Sequence, residues 1–134
     1  MKRFALIALA AFAFTANAFA AVYSIDPGHT QVEFTYNHFG FSNITGRFDQ
    51  VNGEFELDTA DLAKSRISIE IPISSLSTGV GKLDQHLLGP DFFDAAKYPT
   101  ATFKSKSVHV VDAGKLHVSG DLTIHGVTKP VTLD

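Results

Sequence analysis

Apolar and polar residues alternate along most of the stretch from Tyr98 to Leu133, and this two-residue period constrains the fold most. A strand with one dry face and one wet face produces it, because successive side chains point to opposite sides. Ala101 and Phe103 share one parity while Val108 and Val110 share the other, so the register should shift near Ser105 to Ser107. Leu116, Val118, Gly120, Leu122 and Ile124 form the next dry face. Asp112-Ala113-Gly114 suits a three-residue hairpin loop with Gly114 left-handed. His125-Gly126 suits a tight hairpin turn, where positive φ is needed.

The same period runs upstream. Tyr23 to Asp26 reads as a short strand, and Val32, Phe34 and Tyr36 alternate with polar neighbours. Ile44, Gly46 and Phe48 sit at even positions, whereas Val51, Gly53, Phe55 and Leu57 sit at odd ones. One extra residue within a strand explains that switch, which predicts a β-bulge near Asp49-Gln50 and a bent strand. Ile67, Ile69, Ile71 and Ile73 mark a further dry face. Pro72 lies opposite and removes a ladder donor, so the strand should be edge-like or distorted there. Between Leu76 and Tyr98 the period changes. Leu83, Leu87 and Leu88 have helical spacing that Gly89-Pro90 stops, and Asp91 can cap a second short helix carrying Phe92, Phe93 and Ala96.

Residues 1–20 read as a secretory signal: a basic start at Lys2-Arg3, an apolar run from Phe4 to Phe14, and Ala18-Phe19-Ala20 as the cleavage site. The remaining residues 21–134 suit one domain. Without Lys2 and Arg3 it carries nine basic against 14 acidic residues, a net charge of −5. That balance, with no basic run, disfavours nucleic acid and anionic membrane surfaces as partners. The chain has no cysteine, which excludes disulfides, thiolate metal sites and a lipidated anchor. Export to a periplasm without a permanent membrane anchor is the expectation.

Phenylalanine dominates the dry faces, and alternation alone does not separate a packed core from the wall of an apolar tunnel. Among the histidines, His109 and His117 should face each other across a hairpin on its outer side, giving two ligands and no third. His29 and His38 suit turns. His86 lies between Asp84 and Asp91, so a small hydrolase using that pair is one reading. No nucleophile elbow, HExxH or phosphate loop supports it. A β-sandwich interaction module with a filled core is another reading.

From Tyr23 to Leu133 the chain resembles the YceI-like family of polyisoprenoid-binding proteins. The resemblance is carried by Asp84-Gln85-His86-Leu87, Asp91-Phe92-Phe93-Asp94 and Lys97-Tyr98-Pro99-Thr100-Ala101-Thr102-Phe103. Gly120-Asp121-Leu122-Thr123 and Gly126-Val127-Thr128-Lys129-Pro130-Val131 extend it. Among the early strands, His29-Thr30-Gln31-Val32-Glu33-Phe34, His38-Phe39-Gly40 and Gly46-Arg47-Phe48 also match. The chain departs from the family pattern at Leu83 and at Leu88-Gly89, where basic or serine residues are usual. The resemblance implies a mainly β fold: an antiparallel, lipocalin-like barrel with a short helical insertion. It implies a non-enzymatic carrier with no cofactor, holding a polyprenyl or quinone tail for transport, storage or sequestration.

Phe34, Tyr36, Phe48, Phe55, Ile67, Ile69, Ile71, Phe103, Val118, Leu122 and Ile124 would then wall the channel. Leu83, His86, Leu87, Phe92 and Phe93 would form its mouth. The family domain continues through further strands, so an incomplete barrel is expected here, with free edges on the strand from Val127 to Leu133 and on one early strand. Pairing with a second copy would cover such edges.

Overall fold

The structure is a computed structural model that describes residues 20–112 and 114–134. The secretory-signal reading of residues 1–20 therefore falls, apart from Ala20, outside the described residues, as does Ala113 of the expected hairpin loop. The described residues form nine strands, most of which alternate as the sequence period requires. They are β1 (Ala21–Ser24), β2 (Val32–His38), β3 (Ser42–Phe48), β4 (Asn52–Leu57), β5 (Arg66–Pro72), β6 (Leu76–Ser77), β7 (Thr100–Asp112), β8 (Lys115–Ile124) and β9 (Val127–Leu133). One helix, α1 (Gly81–Leu88), interrupts them.

All pairings are antiparallel. Six strands form one sheet in the order β1-β4-β5-β7-β8-β9, and three form a second in the order β2-β3-β6. No ladder joins the two sheets among the described residues, so the expected barrel is present as two sheets that do not close. The free edges include β9 and, on the early side, β1 and β2.

The parity switch after Phe48 is a corner rather than the predicted bulge. β3 ends at Phe48 in the smaller sheet and β4 begins at Asn52 in the larger one. Phe48 and Val51 are both buried, so the chain changes sheets while keeping both apolar groups inside. The Asp49 amide donates to the Ser75 carbonyl at 3.0 Å and the Arg47 guanidinium meets the Asp49 carboxylate at 2.6 Å, which pins the corner.

The second parity change is a bulge. The β7–β8 register shifts between Ser105 and Ser107. There the Ser105 hydroxyl accepts the Ile67 amide at 2.8 Å, replacing a ladder bond to β5. Beyond the bulge Val110 keeps the face of Val108, as its parity suggested, and pairs with Leu116, but it is exposed there.

Pro72 ends β5, which is an interior strand and not an edge. The chain turns into one 3₁₀ turn at Ile73–Ser75, whose Ile73 is 1 % exposed. Helix α1 stops at Gly89 as expected, but residues 91–97 form consecutive turns rather than a second helix. Their amides donate to the carbonyls of Leu87, Leu88, Gly89 and Asp94. Asp94 there takes a positive φ of 47°, which a helix does not contain.

Two apolar clusters result. The first joins both sheets and the insertion through Phe48, Val51, Ile71, Ile73, Leu76, Leu87 and Ala101. The second is drawn from the larger sheet alone, centred on Phe103, Val108 and Val118. Ile69 touches both. Each fully buried aliphatic or aromatic side chain contributes about 1.5–3 kcal/mol, so the first cluster carries the larger share of the fold's stability.

Candidate functional site

The expected wall residues lie on the dry faces, but they are not equally covered. Phe48, Ile71, Leu87, Phe103 and Val118 are buried. Phe34, Tyr36, Phe55, Ile67, Ile69, Leu83, Phe93, Leu122 and Ile124 are half-buried. His86 and Phe92 are exposed.

Where the two sheets and the insertion meet, three rings pack together. The centroids of Phe34 and Phe48 are 5.8 Å apart, those of Phe34 and Phe93 6.2 Å, and those of Phe48 and Phe93 5.5 Å. Edge contacts of this kind close the end of the interior beside α1. Away from that end, Ile67, Leu116, Leu122 and Val131 pack around the second cluster with no partner from the smaller sheet. Phe55 pairs across strands with Ile67 on one side and with the half-exposed Tyr23 on the other, their rings 6.5 Å apart.

Two glycines on the dry faces set where the rings lie. A Cβ on Gly46 would strike the ring of its cross-strand partner Phe34. A Cβ on Gly120 would come within 2.7 Å of the Phe103 ring. Both phenylalanine rings therefore fill the space that a side chain at these glycines would need. Sequence reading placed Gly46 and Gly120 on the dry faces but did not use this. The signal was available at Gly46, a glycine at inward parity opposite a phenylalanine.

The insertion is tied down at both flanks. The Asp84 carboxylate accepts from the Thr78 amide at 2.7 Å and the Thr78 hydroxyl at 2.6 Å. At the other flank, His125 and Gly126 take φ values of 51° and 70°, giving the tight β8–β9 turn the sequence called for. This turn also docks on the insertion. His125 Nδ1 bonds the Phe92 carbonyl, the His125 and Tyr98 rings are 4.7 Å apart, and a Cβ on Gly126 would sit 2.6 Å from the Tyr98 ring. Lys97 Nζ lies 5.1 Å from the Tyr98 centroid, and its hydrogen bond and charge interaction with Tyr98 hold the ammonium above its ordinary range. Sequence reading saw only a turn at His125, because the partner residue lies far away along the chain.

The hydrolase reading finds no assembled pair. Asp84 is committed to Thr78, and His86 meets the Phe92 ring at 4.8 Å, with no carboxylate bonded to it among the described residues. His109 and His117 are cross-strand partners as expected. His117 Nε2 also lies 3.0 Å from the Asp134 carboxylate, a contact the sequence did not suggest. Among the described residues no group of three or more metal-ligating side chains converges.

The arrangement offers apolar contact, with the polar atoms of His86, Tyr98 and His125 beside the insertion. A family model described as YceI-like domain matches residues 23–134. A UPF0312 protein of Vibrio cholerae is 41% identical over 129 residues, an alignment covering 96% of this chain and 68% of that protein. The crystal structure of Burkholderia cenocepacia BcnA aligns with a TM-score of 0.74 at 28% identity, covering 81% of this chain and 67% of BcnA. A polyisoprenoid binding domain from Saccharophagus degradans, implicated in plant cell wall breakdown, shares the fold with a TM-score of 0.56 at 23% identity, over 84% of this chain and 64% of that domain. The chain thus spans about two thirds of the length of the proteins it matches.

Proposed function

This chain belongs to the YceI-like family, and from that membership we propose that it binds the hydrocarbon tail of an isoprenoid lipid between its two sheets. The observation that carries the proposal is the incomplete cover of the dry faces. Phe34, Leu83 and Phe93 are only half-buried around the core beside α1, and Phe55, Ile67 and Leu122 are half-buried farther along. A core built only for packing would seal both regions. The polyisoprenoid binding domain of Saccharophagus degradans, alike in fold, supports the ligand class.

Binding on this reading is partition. Ten methylenes at about 0.8 kcal/mol each give roughly 8 kcal/mol, close to micromolar affinity before ordering costs. No strong polar contact is needed, so the head group is weakly specified and rests near Tyr98 and His86. The protein carries, stores or sequesters the lipid without turning it over, after export to the periplasm through residues 1–20.

Mass spectrometry of an organic extract of the purified protein tests the proposal. The expected result is an isoprenoid chain at about one per protein, as one continuous interior would hold. An empty extract, with no uptake of added polyprenol, overturns it.

A further inference from the structure

The β2–β3 hairpin ends in Phe39-Gly40-Phe41, and its two rings are the most exposed large apolar groups of the described residues. Phe39 is 83% exposed and Phe41 92%. Scattered apolar side chains on a surface need no explanation, but two phenylalanines held out together at one tip do.

The tip is built, not loose. Asn37 Oδ1 accepts the Gly40 amide at 2.6 Å, and its Nδ2 donates to Asn43 Oδ1 at 3.0 Å. The Phe41 amide donates to the His38 carbonyl at 3.1 Å, and the His38 and Phe39 rings meet edge to face at 4.6 Å. Phe39 takes a φ of 53°, a conformation unfavourable for an aromatic residue, and this turns its ring outward. The strands below are paired without a break from Val32↔Phe48 to His38↔Ser42. The hairpin thus leaves the Phe34–Phe48–Phe93 contact at its base and projects the tip about 17 Å beyond Phe34, at the usual rise of a strand.

The chemistry around the rings selects the partner. Asn37 to Asn43 contains no aspartate, glutamate, lysine or arginine. A protein-binding patch is typically enriched in arginine, tyrosine and tryptophan, none of which the tip has, whereas an apolar tip ringed by asparagine, serine and histidine matches the apolar-to-polar gradient of a bilayer interface. The chain is acidic overall and the tip has no cation, so anionic lipid gains nothing from it. We propose that Phe39 and Phe41 insert into the interface of a zwitterionic phospholipid bilayer, docking the protein on a membrane by the end of the β2–β3 hairpin. The docking does not depend on an isoprenoid occupying the interior, so it stands or falls separately from that reading.

The chain contains no tryptophan, so Phe41→Trp creates a single fluorescent reporter at the tip of the full chain. Added to phosphatidylcholine vesicles, this variant should shift its emission to the blue and be quenched by bromine on the upper acyl chain. Because the probe reports its own depth, attachment through any other segment does not mimic the result. Adding Phe39→Ser should weaken partition by about tenfold or more, the equivalent of losing one buried phenylalanine. Circular dichroism and thermal melting, unchanged in both variants, separate this from misfolding. An emission maximum that ignores the vesicles overturns the proposal. So does a blue shift that appears without vesicles and grows with protein concentration, which would make the tip a contact between copies.

Discussion

The interior beside α1 and the interior along β7 and β8 are written in the same alternating code, yet they differ in which layers supply them. Beside α1, Val51 and Ile73 are each 1% exposed, and the insertion, the corner after β3 and both sheets contribute side chains. Along β7 and β8, buried Phe103, Val108 and Val118 are surrounded by half-buried Ile67, Leu116 and Leu122, all from the larger sheet. Alternation thus decides which way a side chain points, while the second layer decides which buried residues tie the two sheets together. The first region should supply most of the stability and the second most of the ligand contact.

Mutating the two regions in parallel tests this division. Phe48→Ala removes the ring shared by both sheets and should destabilise the fold by about 3–5 kcal/mol in urea denaturation. Gly46→Ala drives a methyl group into the Phe34 ring and should cost about 1–3 kcal/mol, with Phe34→Leu in the same chain recovering much of it. Leu122→Ala, from the half-covered region, should cost only about 1 kcal/mol while clearly lowering the lipid recovered per protein. A Leu122→Ala loss as large as that of Phe48→Ala, with lipid recovery intact, would erase the distinction.

The smallest effect lies outside both regions. His29 Nδ1 and the Asp26 carboxylate are 2.7 Å apart in solvent, and that bond, followed by the Gly28 amide, holds Asp26 below its ordinary pKa. Any stability this pair adds is present above the usual carboxylate range and is lost as pH falls through the lowered value. His29→Ala should move the Asp26 titration, followed by NMR, back up toward the ordinary range with almost no change in unfolding at neutral pH.

Much of this was legible in the sequence. The period-two faces, the register shift at Ser105 to Ser107, the His125-Gly126 turn and the end of α1 at Gly89 all follow from local chemistry. Four features did not. The corner at Asp49-Gln50 and a bulge leave the same parity signature, and only the assignment of β3 and β4 to different sheets separates them. The segment from Asp91 to Lys97 has helical composition, but its amides are taken by carbonyls at the end of α1. For the candidate site, inward parity was readable for Phe34, Phe48 and Phe103, whereas unequal cover was not, because it depends on side chains distant in sequence. The ties at Thr78 and His125 were hidden for the same reason.

The strand order also bears on the route by which the chain folds. β7, β8 and β9 are joined by tight turns and pair with their immediate neighbours, so they form with little loop-closure entropy. β1, by contrast, finds its partner β4 only across all of β2 and β3, as Tyr23 pairs with Phe55. Such non-local pairing forms slowly. The C-terminal meander is therefore the natural nucleus. β5 then joins β4, and through it β1, to that meander.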